Sequence, residues 1–151
     1  MRRMLIALAM TWPMLAHAAA LTALSPAGVA ALLKPPAHGE RIIVLWALDC
    51  AYCESNMRAV AALQRAHPQL IELITVATDD MTQRDAILER LHAAGLERYP
   101  ARAYTDPSPE RINYLIDPHW GGETPRTLVI RADGTTFGIS GALTPQRLST
   151  L

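Results

Sequence analysis

The chain's only two cysteines, Cys50 and Cys53, are two residues apart and lie between two segments of different character. Before them runs Ile42-Ile43-Val44-Leu45-Trp46, a β-type apolar stretch, and after them the apolar positions recur with helical spacing. This junction constrains the fold more than any other stretch, because it sets a dithiol where a buried strand hands over to a helix. If the helix starts at Cys50, the two sulfurs lie one turn apart on one face, close enough to form a disulfide reversibly. Cys50 then sits where helix-start N–H groups and the macrodipole favour a thiolate. A disulfide that closes so short a loop restricts the unfolded chain little, so the pair is a poor structural staple.

The rest of the chain supplies an ordinary alternation of strands and helices. Ser25 would cap a short helix reaching Leu33, and a Pro-Pro-Ala-His-Gly stretch then leads into a buried strand from Arg41 to Leu48. The helix that follows runs from about Cys50 to Ala66. It turns Cys53, Met57, Val60 and Leu63 to one face and Glu54, Arg58 and Arg65 elsewhere. Leu70 to Thr78 reads as a strand. Thr82-Gln83-Arg84-Asp85 resembles a capping box that opens a helix with Ile87, Leu88 and Leu91 inward, stopped by Gly95. Ala101 to Tyr104 is a short strand, and Glu110 to Leu115 a short helix. Thr127 to Ala132 and Thr135 to Ser140 form a hairpin about Asp133-Gly134, and a stub of helix closes the chain after Thr144. This order predicts an α/β fold with a mixed central sheet flanked by helices.

The 151 residues suffice for one domain, and the formal net charge is zero, with no basic patch that points to nucleic acid. Arg2 and Arg3, the apolar run from Met4 to Leu15 and Ala16-His17-Ala18 read as a signal peptide cleaved near Ala18. The run is short and interrupted at Thr11 and Pro13, so an uncleaved inner-membrane anchor is the alternative. The expected organisation is a signal peptide over 1–18, an N-terminal segment over 19–40 and a domain over 41–151. Export places the dithiol in an oxidising, periplasmic setting and leaves a slightly acidic mature chain.

The segments Ile43-Val44-Leu45-Trp46-Ala47, Cys50-x-x-Cys53, Glu123-Thr124-Pro125 and Leu128-Val129-Ile130-x-x-Asp133-Gly134 resemble the thioredoxin-like superfamily. Within it the chain looks most like the exported TlpA-type thiol–disulfide oxidoreductases, over roughly Arg41 to Leu148. The resemblance implies a thioredoxin-like fold and a cis bond between Thr124 and Pro125, with Pro125 facing the dithiol. It implies Cys50 as nucleophile and Cys53 as resolving thiol. Thr124 and Pro125 then receive a substrate strand, and Asp49, Ala51 and Tyr52 tune the pair. It further implies protein thiol or disulfide substrates, a membrane electron-transfer partner and no cofactor or metal. The chain departs from the family at four places. Asp49 stands where Trp is usual, and Tyr52 where Pro is common. Val44 stands at the position of thioredoxin's buried acid, and Asn56 at the acid of cytochrome-maturation members.

Asp49 has three readings. It caps the helix start, or its charge opposes the Cys50 thiolate and favours a reductant, or it supplies the missing proton relay to Cys53. Trp46 reads as core, and His119 and Trp120 as loop packing. Two rival functions remain. Two thiolates with a histidine can hold Cu(I) or Zn(II), and of His38, His67, His92 and His119 only the last is placed to approach the dithiol. A non-catalytic adaptor of the same fold is the other.

Overall fold

The computed structural model describes residues 20–151, and the signal-peptide expectation lies outside these residues. The molecule is organised about β2 (Glu40–Trp46). Successive residues of a strand point to opposite faces. Ile42, Val44 and Trp46 therefore enter one apolar layer while Ile43 and Leu45 enter the other, all without solvent exposure. A strand covered on both sides reads as an unbroken apolar run, as this one does.

In chain order the strands are β1 (Leu21–Leu24), β2, β3 (Ile71–Asp80), β4 (Ala101–Tyr104), β5 (Arg126–Arg131) and β6 (Thr136–Ser140). They form one six-stranded sheet in the order β1-β4-β3-β2-β5-β6. β1, β4, β3 and β2 run parallel, and β5 and β6 add an antiparallel hairpin. The helices are α1 (Pro26–Leu32), α2 (Cys53–Ala66), α3 (Arg84–Ala93), α4 (Pro109–Ile116) and α5 (Pro145–Leu148). α2 and α3 bury Cys53, Met57, Val60, Ile87 and Leu91 against the Val44 face. α1 and α4 bury Val29, Leu32, Ile112 and Ile116 against the Leu45 face. Tyr104 is buried in that second layer, which pushes its phenol pKa up, and its hydroxyl donates to Asn113 Oδ1 at 2.7 Å.

The structure corrects the sequence reading in three places. Leu21–Leu24 forms an edge strand beside β4, a four-residue element too short to show a period of its own. α2 starts at Cys53, with Tyr52 at its N-cap, rather than at Cys50. Periodicity marks which residues share a face and not where the first turn closes. Two turns precede the helix, at residues 48–49 and 51–52, and in the first the Cys50 N–H bonds to Ala47 O at 3.2 Å. The Thr82 capping box is also not formed. The Asp80 carboxylate accepts the Thr82 N–H at 2.8 Å and winds Met81–Gln83 into a 3-10 turn, so α3 begins at Arg84 without a side-chain cap. That bond holds the Asp80 carboxyl below its usual range.

Candidate active site

Cys50 and Cys53 form a disulfide with Cα atoms 5.5 Å apart. Cys53 is the first residue of α2 and fully buried in the layer that contains Val44, Trp46 and Met57. Cys50 lies just outside the helix and remains partly exposed. Around it Asp49 and Ala51 are exposed, and Tyr52 is 67% exposed. The two sulfurs are thus inequivalent, one open to a partner and one shielded. The unbonded N–H groups of the α2 first turn begin next to them. Asp49 precedes the Tyr52 N-cap by three residues, so capping α2 is not its role.

The turn that carries Cys50 is braced by its neighbours in space. Leu48 N–H donates to Asp79 Oδ2 at 2.9 Å, and Arg90 Nη2 donates to Leu48 O at 3.1 Å. Thr78 Oγ1 donates to Trp46 O at 3.3 Å. Thr78 and Asp79 fall where the β3–β4 register shifts between Ala77 and Asp80. Such an irregularity re-aims side chains, and here it sends two polar ones to the chain leaving β2. None of Thr78, Asp79 and Arg90 was identifiable from the sequence, because no pattern marks a bulge in β3.

Thr124 and Pro125 lie at the same end of the sheet as the dithiol turn. Leu45 is paired with Arg126, so Pro125 leads into β5 beside the end of β2, where the dithiol turn departs. The Thr124–Pro125 peptide bond is cis. Among the described residues neither backbone polar group of Thr124 takes a hydrogen bond, which leaves both for an added strand. Pro125 O accepts Gly141 N–H at 2.8 Å. Asn56, buried on α2 one turn beyond Cys53, donates from Nδ2 to Gly141 O at 3.0 Å and accepts Leu143 N–H at Oδ1 at 2.9 Å. A carbonyl faces one side of the amide and an N–H the other, so its orientation follows from its partners. Asn56 therefore ties the dithiol helix, through Gly141, to Pro125.

A second set of contacts approaches the same turn from the other side. Arg126, with a side chain 14% exposed, pairs with Asp117 at the end of α4 and donates from Nη1 to Ser140 Oγ at 2.7 Å. The Ser140 hydroxyl donates in turn to Glu123 Oε1. That bond, with the Arg126 charge nearby, holds the Glu123 carboxyl below its usual range. Trp120 is buried, and its indole N–H donates to Glu123 O at 2.8 Å, which is the loop packing expected of it. His119 is not packed. Its side chain is 95% exposed beside Asp117. Among the described residues no three or more of His, Cys, Asp and Glu come together as a metal-binding group.

No protein family and no curated protein matches the chain by sequence. Solved structures do match it. One is a secreted disulfide oxidoreductase of Mycobacterium tuberculosis homologous to E. coli DsbE. It has 17% identity and a TM-score of 0.58, over 75% of this chain and 82% of that one. A thioredoxin-related protein from Neisseria meningitidis serogroup B has 24% identity and a TM-score of 0.57, over 75% and 82%. A DsbF homologue from Corynebacterium diphtheriae has 12% identity and a TM-score of 0.60, over 74% and 69%. The chain has the thioredoxin-like fold.

Proposed function

We propose that the chain is an exported thiol–disulfide oxidoreductase of TlpA type that reduces disulfides in other proteins. The observation that carries this reading is the inequivalence of the two sulfurs, Cys50 reachable and Cys53 buried at the start of α2. In the reduced protein the Cys50 thiolate attacks one sulfur of a substrate disulfide, forming a mixed disulfide and releasing one substrate thiolate. Cys53, as thiolate, then attacks Cys50 Sγ. The Cys50–Cys53 disulfide closes and the second substrate thiolate leaves, so two electrons pass to the substrate. A dithiol donor, such as a membrane electron-transfer partner, restores the reduced pair by the reverse exchange. Thr124 offers its backbone to the strand that flanks the substrate cysteine, and Pro125 forms the wall opposite the pair. The protein is expected to accelerate insulin reduction by dithiothreitol, and Cys50→Ala is expected to abolish that acceleration. An unaffected rate with the wild-type protein would refute the assignment.

Asp49 supports the reductant direction. It is exposed, next to Cys50 and free of a capping role, so its charge acts mainly on the thiolate. Asp49→Asn is expected to stabilise the Cys50 thiolate and make the pair more oxidising by about 10–30 mV, where 30 mV corresponds to ~1.4 kcal/mol. Equilibration of both proteins with glutathione measures this, and an unchanged or more reducing potential in the variant would reject it. Export rests on the sequence of residues 1–18, and a structural neighbour described as secreted gives it support. Among the described residues no helix is long and apolar enough to cross a membrane. Mass spectrometry of the periplasmic protein is expected to find an N-terminus near Ala19. Recovery of the intact chain from the cytoplasm would contradict export.

A further inference from the structure

The turn before Thr124 is built on the most permissive backbone near the site. Gly121 and Gly122 are adjacent, and Gly122 has φ +94°. Glycine carries the largest backbone freedom, so contacts rather than local preference must fix the shape of such a turn. Two contacts reach it through Glu123. Trp120 Nε1 holds the backbone carbonyl and Ser140 Oγ holds the carboxylate. Ser140 is itself held by Arg126, and Arg126 by Asp117.

This side-chain layer is additional to the sheet, because Arg126 and Ser140 are already paired as opposite residues of the β5–β6 ladder. The sheet also makes room for it. A Cβ on Gly138, in the middle of β6, would come within 2.7 Å of Arg126 Nε and overlap the guanidinium. The guanidinium thus lies flat across a strand where any other residue would displace it. A planar fork suits this arrangement, with one arm on a carboxylate and the other on a hydroxyl.

We infer that Arg126 is a positioning residue for substrate capture. Through Ser140 it fixes Glu123, and so the Gly121–Thr124 turn whose Thr124 backbone receives the substrate strand. This rests on the oxidoreductase reading. Its test therefore compares a protein disulfide, which needs the turn, with a small aryl disulfide, which has no backbone to pair with Thr124. The variants are Arg126→Met and Gly138→Ala. The second keeps Arg126 and displaces only its flexible end, so it carries the comparison alone if the first does not fold.

For both variants KM for reduction of insulin is expected to rise about tenfold, as loss of charge-assisted hydrogen bonds loosens the turn. Values of kcat and the rate of Cys50 with the aryl disulfide should stay within about twofold of wild type. A merely structural role would lower both substrates' rates together. Unchanged KM in folded variants, or equal loss with both disulfides, would overturn the assignment to Arg126. Absence of insulin reduction by the wild-type protein would instead refute the underlying function.

Discussion

A Cys53→Ala protein is expected to stop at a covalent complex with its substrate, joined through Cys50. The burial of Cys53 and the exposure around Cys50 support the proposed order, with Cys50 attacking and Cys53 resolving. With Cys53 gone, the mixed disulfide has no neighbouring thiol to resolve it, and release waits for a thiol from solution. An intramolecular thiol held in line is worth many powers of ten in effective concentration, so release should slow by at least about 10³-fold. Cys50→Ala should form no such complex, because its remaining thiol is enclosed by Val44, Trp46 and Met57. Non-reducing electrophoresis of both variants mixed with a disulfide-bonded protein checks the assignment. Equal trapping by the two would show that the order is wrong.

Asn56→Ala is expected to cost about 1–3 kcal/mol of stability, from two part-buried backbone groups losing their partners and a small cavity left by a buried side chain. Among the described residues no other side chain hydrogen-bonds Gly141 O or Leu143 N–H. The same change unties Pro125 O, held by Gly141 N–H, from the dithiol helix, so substrate capture should weaken as well. Asn56→Asp separates donor from charge. Its ionised carboxylate can still accept Leu143 N–H but opposes the Gly141 carbonyl, which raises the folded-state pKa of the new acid. A raised folded pKa gives stability that is present below the unfolded pKa and lost as pH rises through the folded one. The deficit of Asn56→Asp should therefore be small near pH 4 and largest at pH 7, whereas that of Asn56→Ala should not follow this course. Denaturant unfolding across that range measures both. A pH-independent deficit in the aspartate variant would remove the amide donor from the account.

The strand–dithiol–helix junction was legible because local features carry it. β2 is an unbroken apolar run from Ile42 to Trp46, α2 turns Cys53, Met57 and Val60 inward, and Asp133-Gly134 turns the hairpin. The start of α2 was not, because inward spacing is the same whether the first turn closes at Cys50 or Cys53. In the sequence Asn56 stands out only as the place of a missing acid. Its polar side chain on an inward stripe was the signal, but its partners lie 85 and 87 residues away, beyond any local pattern. The Asp117–Arg126–Ser140–Glu123 chain was hidden for the same reason, since it joins the end of α4, both strands of the hairpin and a glycine turn. Gly138 was its one visible trace, a glycine inside a strand where a backbone or side chain approaches closely.

On the proposed function, the Cys50–Cys53 pair passes its two electrons to a disulfide in another protein. Its most direct test is a single-turnover experiment without added reductant. The fully reduced protein is mixed with insulin under anaerobic conditions, quenched in acid, alkylated and read by mass spectrometry. The Cys50 and Cys53 thiols are expected to disappear together, as their disulfide, in step with the appearance of insulin thiols. Free thiols persisting on Cys50 and Cys53 while insulin stays oxidised would contradict it.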